Sequence, residues 1–285
     1  MIATGRITEV RKILEVERSD GKRVGFVPTM GALHEGHRSL IRRARAESDF
    51  VVVSIYVNPT QFNRSADLHA YPRSFADDLE ACAAEGADLV FHPDDDEMYP
   101  RRSLTTVTVR EITDPMEGAS RPGHFAGVGL VCTKLFNIVG PCTAYFGEKD
   151  AQQLRVVRRI TLDLDQPVEI IACPTVRDED GLALSSRNAR LRSEDRSRAL
   201  ALPRALRAIG ERVGNGERDV ATLEAAGRAV LERSELDGID YLEIVDADTL
   251  EHLETVKGTA LVCGAVHVGD VRLIDNMLVG SPEEE

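Results

Sequence analysis

The chain reads as an α/β protein: a doubly wound, Rossmann-like parallel sheet over residues 1–174, followed by a smaller C-terminal α+β lid domain over 175–285. Three observations carry this. Strand-like and helix-like stretches alternate at crossover lengths through the first part. One of them, Phe50–Val57, is continuously apolar and rich in β-branched residues, the pattern of a strand covered on both faces. After about Pro174 the alternation gives way to helical segments and then to long extended runs.

Arg23–Thr29 is a β-run ending in Pro-Thr, after which Leu40, Ile41 and Ala44 recur at helical spacing from a start near His34. Phe50–Val57 is the next strand and Asn58-Pro59 stops it. Phe75, Leu79, Cys82 and Ala83 mark a helix, Ala87–His92 a strand, and Pro93–Asp96 a turn. Val128, Val131, Cys132, Leu135 and Val139 form another helical stripe, Thr143–Phe146 a short strand, Gln152–Leu162 a helix and Val168–Cys173 a strand. In such a fold ligands sit outside the carboxyl ends of the strands. Beyond Pro174, a loop rich in Gly, Ser and Arg (Asp180–Arg190) leads to a helix from near Ser193, with Glu194 and Asp195 in its first turn, and another across Val220–Arg233. Ile239–Val245, Ala260–Val268 and Val271–Val279 are extended, and the tail Pro282–Glu285 is expected to fray.

At 285 residues the chain is long enough for one large or two modest domains. Its 35 Lys+Arg against 48 Asp+Glu give a net charge of −13, which disfavours a broad grip on nucleic-acid phosphates. The apolar runs fall far short of the roughly 18–20 residues a membrane span needs, and Met1–Arg11 carries charge with no apolar core of a secretory leader. We therefore expect a cytoplasmic protein with neither nucleic-acid nor membrane partners. Cys82, Cys132, Cys142, Cys173 and Cys263 are scattered and odd in number, so neither a disulfide framework nor a zinc site is indicated.

Pro28-Thr-Met-Gly-Ala-Leu-His-Glu-Gly-His37 is the strongest local signal. It places two imidazoles and two glycines at a helix N-terminus, where unsatisfied N–H groups and the helix dipole favour phosphate. The His–Glu–Gly–His spacing is wrong for a zinc protease, which needs two residues between Glu and the second His. His69, His92, His252 and His267 are isolated and expected to be structural, and Asp94–Glu97 is expected to be a solvated turn.

His-x-Gly-His at the first strand–helix turn resembles the HIGH motif of adenylyl-transferring enzymes. Phe26–His37, Val57-Asn-Pro-Thr-Gln-Phe62, Tyr71-Pro-Arg73, Met98-Tyr-Pro100, Arg121-Pro-Gly-His-Phe125, Phe146-Gly-Glu-Lys-Asp150 and Leu184-Ser-Ser-Arg-Asn188 follow in the order of the pantothenate synthetase family. That resemblance spans nearly the whole chain. It implies condensation of pantoate with β-alanine through a pantoyl-adenylate, with ATP as substrate, AMP and pyrophosphate as products, Mg²⁺ as cofactor, and a homodimer.

The resemblance implies an ATP site drawn from Pro28, Thr29, Met30, Gly31, His34 and His37, from Gly147, Glu148, Lys149 and Asp150, and from Val176, Leu184, Ser185, Ser186 and Arg187. His37, His34, Lys149, Ser185, Ser186 and Arg187 would be catalytic, the last three forming a clamp equivalent to the KMSKS loop of related enzymes. Many relatives carry Met at the position of Leu184, a near-isosteric exchange. Pantoate and β-alanine would meet Met30, Asn58, Gln61, Arg121, His124 and Gln153. Gln61 and Gln153 are neutral amides, able to hold a hydroxy acid without locking its carboxylate in a salt bridge. Asp77 and Asp78 are the candidates for Mg²⁺, although adjacent carboxylates at a helix start are commonly dipole partners. A nucleotidyltransferase acting on a phosphorylated acceptor would leave Gln61 and Gln153 without a role. A nucleotide-binding regulator without turnover would not be expected to keep both histidines, Lys149 and the Ser-Ser-Arg loop together. A tRNA synthetase is disfavoured by the acidic balance and the lack of room for an anticodon-reading domain.

Overall fold

The computed structural model describes residues 1–280, so the expected fraying of Pro282–Glu285 lies outside the described residues. The elements of its first part, in order, are β1 (Ile2–Thr4), α1 (Ile7–Ser19), β2 (Val24–Thr29), α2 (Glu35–Glu47), β3 (Phe50–Ile55), α3 (Ser65–Ala70), α4 (Phe75–Ala84), β4 (Leu89–Phe91), α5 (Asp95–Met98), α6 (Glu117–Ser120), α7 (His124–Val139), β5 (Cys142–Gly147), α8 (Ala151–Asp163) and β6 (Val168–Cys173). By contact density the chain divides into two units. One comprises Met1–Thr113, Arg121–Glu148 and Gln153–Thr175, and the other Asp114–Ser120, Lys149–Gln152 and the chain from Val176.

The first unit holds a six-stranded parallel sheet in the order β1-β4-β3-β2-β5-β6. From β2 the chain steps through β3 to β4 on one side, then crosses to β5 and β6 on the other. The strand order therefore reverses between β2 and β5, which is where a doubly wound sheet opens a crevice for ligands. Phe26, Val52, Leu89, Phe91 and Ala144 pack with Val128, Cys132, Leu135 and Phe136 of α7 in one core layer. Val27, Val51, Val53 and Val90 pack with Leu40, Ile41 and Ala44 of α2 in the other. Alternate residues of the strands thus feed opposite layers, as a sheet covered on both faces requires.

The second unit carries α9 (Ser193–Ala199), α10 (Ala201–Gly214) and α11 (Val220–Glu232), then an antiparallel sheet of β7 (Gly238–Asp246), β8 (Thr259–Val268) and β9 (Val271–Gly280) with β8 central. Its core joins Leu202, Leu206 and Ile209 of α10 to Leu223 of α11 and to Leu242, Val262 and Val266 of the sheet.

The expectations from sequence include none of β1, α1, α3 and α6. β1 is three residues at a sheet edge, and α1 commits only Val10 and Leu14 to full burial while leaving Val16 exposed. The helix expected from Ser193 is divided at Leu200 into α9 and α10. Asp94, Asp95 and Asp96 are exposed, as expected of a solvated run, but the run opens a short helix, α5, and is bonded to its surroundings. Asp94 caps α5 by accepting the Glu97 N–H at 2.8 Å, Asp95 accepts the Tyr56 hydroxyl at 2.8 Å, and Glu97 accepts the Ile7 N–H at 2.8 Å and pairs with Arg6. Acidic density here is spent on fastening three segments, which composition alone does not distinguish from solvation. Among the described residues no helix is long and apolar enough to cross a membrane.

Candidate active site

The loop after β2 is built before it is functional. Thr29 Oγ1 donates to the Ser54 carbonyl across the β2–β3 pair at 2.8 Å and accepts the Gly31 N–H at 3.2 Å. Gly31 and Ala32 both take left-handed backbone, with φ of 81° and 49°. Glycine is required at 31: a Cβ there would stand 2.8 Å from Asp78 Oδ2. Asp78, 2% exposed on α4, accepts the N–H groups of Ala32 (2.9 Å) and Leu33 (2.7 Å), one on each carboxylate oxygen. Two charge-assisted hydrogen bonds hold the strained turn in place.

The same turn delivers His34 as N-cap of α2. His34 Nδ1 accepts the Gly36 N–H at 3.1 Å, while His37 Nδ1 accepts the His34 N–H in a longer bond of 3.4 Å, a reciprocal capping box with imidazoles in both roles. The rings lie 4.1 Å apart, tilted by 38°. An Nδ1 that accepts carries no proton, so both rings are held as the neutral Nε2–H tautomer. Two Nε2–H donors at the positive end of a helix form an arrangement suited to an anion.

Gln61 sits one strand over, in a 3₁₀ turn (Pro59–Gln61) after β3. It is buried, accepts from Asn58 Nδ2 at 3.0 Å and directs Nε2 at Met30 Sδ, 3.1 Å away, so the loops after β2 and β3 meet. Asn58 is the hub of this turn. Its two amide hydrogens go to Gln61 Oε1 and the Gly127 carbonyl, and its Oδ1 receives the Thr60 N–H, the Thr60 hydroxyl and the Tyr99 hydroxyl. His124 is likewise a latch. Its Nδ1 lies 2.9 Å from the Gln61 carbonyl and so donates, which leaves Nε2 as the acceptor of Arg121 Nη1 at 3.2 Å. Arg121 and His124 therefore fix the backbone of Gln61. α7 passes so close that a Cβ on Gly127 would meet the Thr60 carbonyl at 2.3 Å. Gly127→Ala should push the turn away, costing about 1–3 kcal/mol on urea unfolding.

Gly147 ends β5 beside β2, Glu148 follows it, and Gln153 is half-buried on α8. Met30, His34, His37, Gln61 and Gly147 thus stand at the carboxyl ends of three neighbouring strands. Lys149, Asp150, Val176, Leu184, Ser185, Ser186 and Arg187 belong to the second unit. There Val176 and Leu184 close a hairpin through the Leu184 N–H to the Val176 carbonyl at 3.0 Å, and Ser185 caps the 3₁₀ turn Ser186–Arg190 by accepting the Arg187 N–H at 3.2 Å.

Asp77 and Asp78, the candidates for Mg²⁺, are not placed alike. They are successive residues of one helix with opposite fates, Asp77 exposed to solvent and Asp78 buried with both oxygens on backbone amides. Among the described residues no group of three or more His, Cys, Asp or Glu is placed to hold a metal. Burial pushes the thiols of Cys82, Cys132 and Cys142 up to about 12, which keeps those three protonated near neutral pH. Sequence reasoning missed Asp78's grip on the loop, together with Gln152 and Glu117, buried polar residues whose partners lie far away along the chain.

Residues 3–278 match the family model described as pantoate-beta-alanine ligase. The chain is 55% identical over 255 residues to the pantothenate synthetase of Roseiflexus sp. (strain RS-1), covering 90% of this chain and 92% of that one. It superposes on the crystal structure of pantothenate synthetase from Thermus thermophilus with a TM-score of 0.92 at 47% identity, covering 97% and 99% of the two chains. The Francisella tularensis pantoate-beta-alanine ligase, crystallised with beta-gamma ATP and beta-alanine, gives 0.79 at 35% identity over 98% and 97%.

Proposed function

The chain belongs to the pantoate–β-alanine ligase family, and from that membership we infer that it joins pantoate to β-alanine at the expense of ATP through a pantoyl-adenylate. The observation that carries this reading at the residue level is the reciprocal capping box, which fixes both imidazoles as Nε2–H donors at the start of α2. In the first step a pantoate carboxylate oxygen bonds to the α-phosphorus and the bond to pyrophosphate breaks. Two anions approach each other and charge moves onto the leaving group, so donors that tighten as this happens lower the barrier. His34 and His37 are those donors. Pyrophosphate leaves well without protonation, so His37 stabilises charge and need not surrender its proton.

Lys149 adds a point charge to the triphosphate, while Ser185, Ser186 and Arg187 supply hydroxyl and guanidinium donors. Gln61 and Gln153 orient pantoate. In the second step the β-alanine amine attacks the acyl carbon and AMP departs, the amine losing a proton to solvent or product phosphate. Any Mg²⁺ enters with the triphosphate, held by its oxygens and by water, since Asp78 is committed to the loop. The first unit is the ATP and pantoate domain, and the second, which includes Lys149, is the smaller domain bearing the Ser185 loop. The setting is cytoplasmic.

A homodimer completes this reading. Residues 103–110 run without assigned secondary structure, Val107 and Val109 pack on Phe125, Val156 and Ile160, and Leu104 is 89% exposed. A strand-like Thr-Val-Thr-Val run outside any sheet is a ready edge for a second copy. Sedimentation equilibrium at the monomer mass would remove this part of the reading.

Incubation with ATP, β-alanine and pantoate labelled with ¹⁸O in its carboxylate should yield pantothenate, pyrophosphate and AMP carrying one ¹⁸O, by mass spectrometry. Formation of ADP, or AMP without label, would reject the adenylate route.

A further inference from the structure

Lys149 lies two residues beyond the end of β5, yet its turn is held by the last strand of the chain. On β9, Asn276 donates through Nδ2 to the Lys149 carbonyl at 2.8 Å. Four residues earlier on the same strand, Arg272 forms a bidentate pair with Glu117 at 2.8 and 2.6 Å. Glu117 then uses its backbone N–H on Gln152 Oε1 at 3.0 Å, and Gln152 Nε2 donates to the Pro115 carbonyl at 2.9 Å. The Tyr241 hydroxyl, from β7, also donates to Glu117 at 2.8 Å. Both Glu117 and Gln152 are buried, and a charge that is out of water and paired on several sides holds one geometry. Residues 272 and 276 share a face of β9. The strand thus holds the segment Lys149–Gln152 directly at Lys149 and through Glu117 at Gln152.

β9 also reaches the hydroxyl-and-guanidinium loop. Asp275, 3% exposed, accepts Arg177 in a bidentate pair at 2.6 and 2.8 Å. Arg177 bridges to Ala183, whose carbonyl accepts Asn188 Nδ2 at 3.0 Å, which closes the stretch bearing Ser185, Ser186 and Arg187.

We propose that Arg272 and Asn276 are positioning residues for Lys149, and that β9 serves as one scaffold fixing both Lys149 and the Ser185–Arg187 loop for transfer of the adenylyl group. This rests on the reading of Lys149 as a donor to the triphosphate. Asn276 touches no substrate in this scheme. It sets where the turn's backbone stands, and so where the ammonium can reach, and a shift of about 1 Å in such a group costs up to about 10² in rate.

The test is a double-mutant cycle on the full chain: wild type, Asn276→Ala, Lys149→Ala and the double variant, each followed by single-turnover pantoyl-adenylate formation, by the KM for β-alanine and by thermal melting. Asn276→Ala should slow adenylate formation about 10- to 100-fold with the melting temperature and the β-alanine KM unchanged. In the Lys149→Ala background the same substitution should cost less than twofold, because no ammonium remains to be misplaced. Equal losses in both backgrounds, or a rate within twofold of wild type for Asn276→Ala, would overturn the proposal. A Lys149→Ala enzyme within twofold of wild type would instead remove the role of Lys149 itself, a separate result. Should Asn276→Ala not fold, Asn276→Ser, too short to reach the Lys149 carbonyl, takes its place in the cycle.

Discussion

Replacing His37 with alanine should slow pantoyl-adenylate formation by about 10² to 10³, the cost of removing one preorganised donor from a developing anion. Two roles meet in this ring, and the capping geometry separates them. Nδ1 accepts the His34 N–H and closes the start of α2, while Nε2–H is the donor offered to phosphate. Asparagine places its carbonyl oxygen near the position of Nδ1 and has no group at Nε2. His37→Asn should therefore keep the cap, worth about 1 kcal/mol, and melt like wild type while remaining as slow as the alanine variant. Glutamine reaches the Nε2 position with an N–H and leaves the cap open, so His37→Gln should recover part of the rate at some loss of stability. Rapid-quench measurement of the adenylate together with thermal melting distinguishes the patterns. If His37→Asn recovered the rate and His37→Gln did not, the ring would matter only as a cap, and the phosphate would have to be stabilised from elsewhere.

Sequence periodicity was enough for the sheet wherever burial is two-sided. Phe50–Ile55 is apolar but for Ser54 because both faces are covered, and its short length, β-branched content and the Asn58-Pro59 stop favour a strand over a buried helix. The Pro28–His37 loop was legible for a related reason: glycine at 31 and paired imidazoles at a helix start answer local backbone demands that a short window displays. What could not be read was any role fixed by a distant partner. Asn58 and His124 bond to Gln61, Gly127 and Arg121, residues three to sixty-nine positions away, and no local window displays those partners. Glu117, in a nondescript Met-Glu-Gly, is placed by Arg272 across 155 residues. Nor does the sequence reveal that Lys149, adjacent to a strand of the first unit, is held within the second. A side chain's type announces what it can bond to, but only the fold decides which candidate partner arrives first.

Asp78 offers the sharpest case, since its two readings predict opposite responses to metal. As a loop anchor it satisfies the amides of Ala32 and Leu33, and the left-handed backbone at Ala32, worth about 1–2 kcal/mol of strain, persists only because those bonds hold it. Asp78→Ala leaves two buried N–H groups unpaired at about 1–3 kcal/mol each, so we expect a loss of about 3 kcal/mol in urea unfolding. Because the same loop carries Met30, His34 and His37, adenylate formation should fall by at least about 10². Asp78→Asn retains one acceptor and turns an amide against the second N–H, so it should lie between wild type and alanine in both measurements. Raising Mg²⁺ should restore neither, and Asp77→Ala, at an exposed position one residue away, should change little. A metal ligand would behave otherwise: its removal would spare stability, raise the Mg²⁺ needed for half-maximal rate, and be mimicked at Asp77. Recovery of the Asp78→Ala enzyme at high Mg²⁺ with an unaltered unfolding curve would return the carboxylate to the metal and leave the geometry of the Gly31–Leu33 turn without a cause.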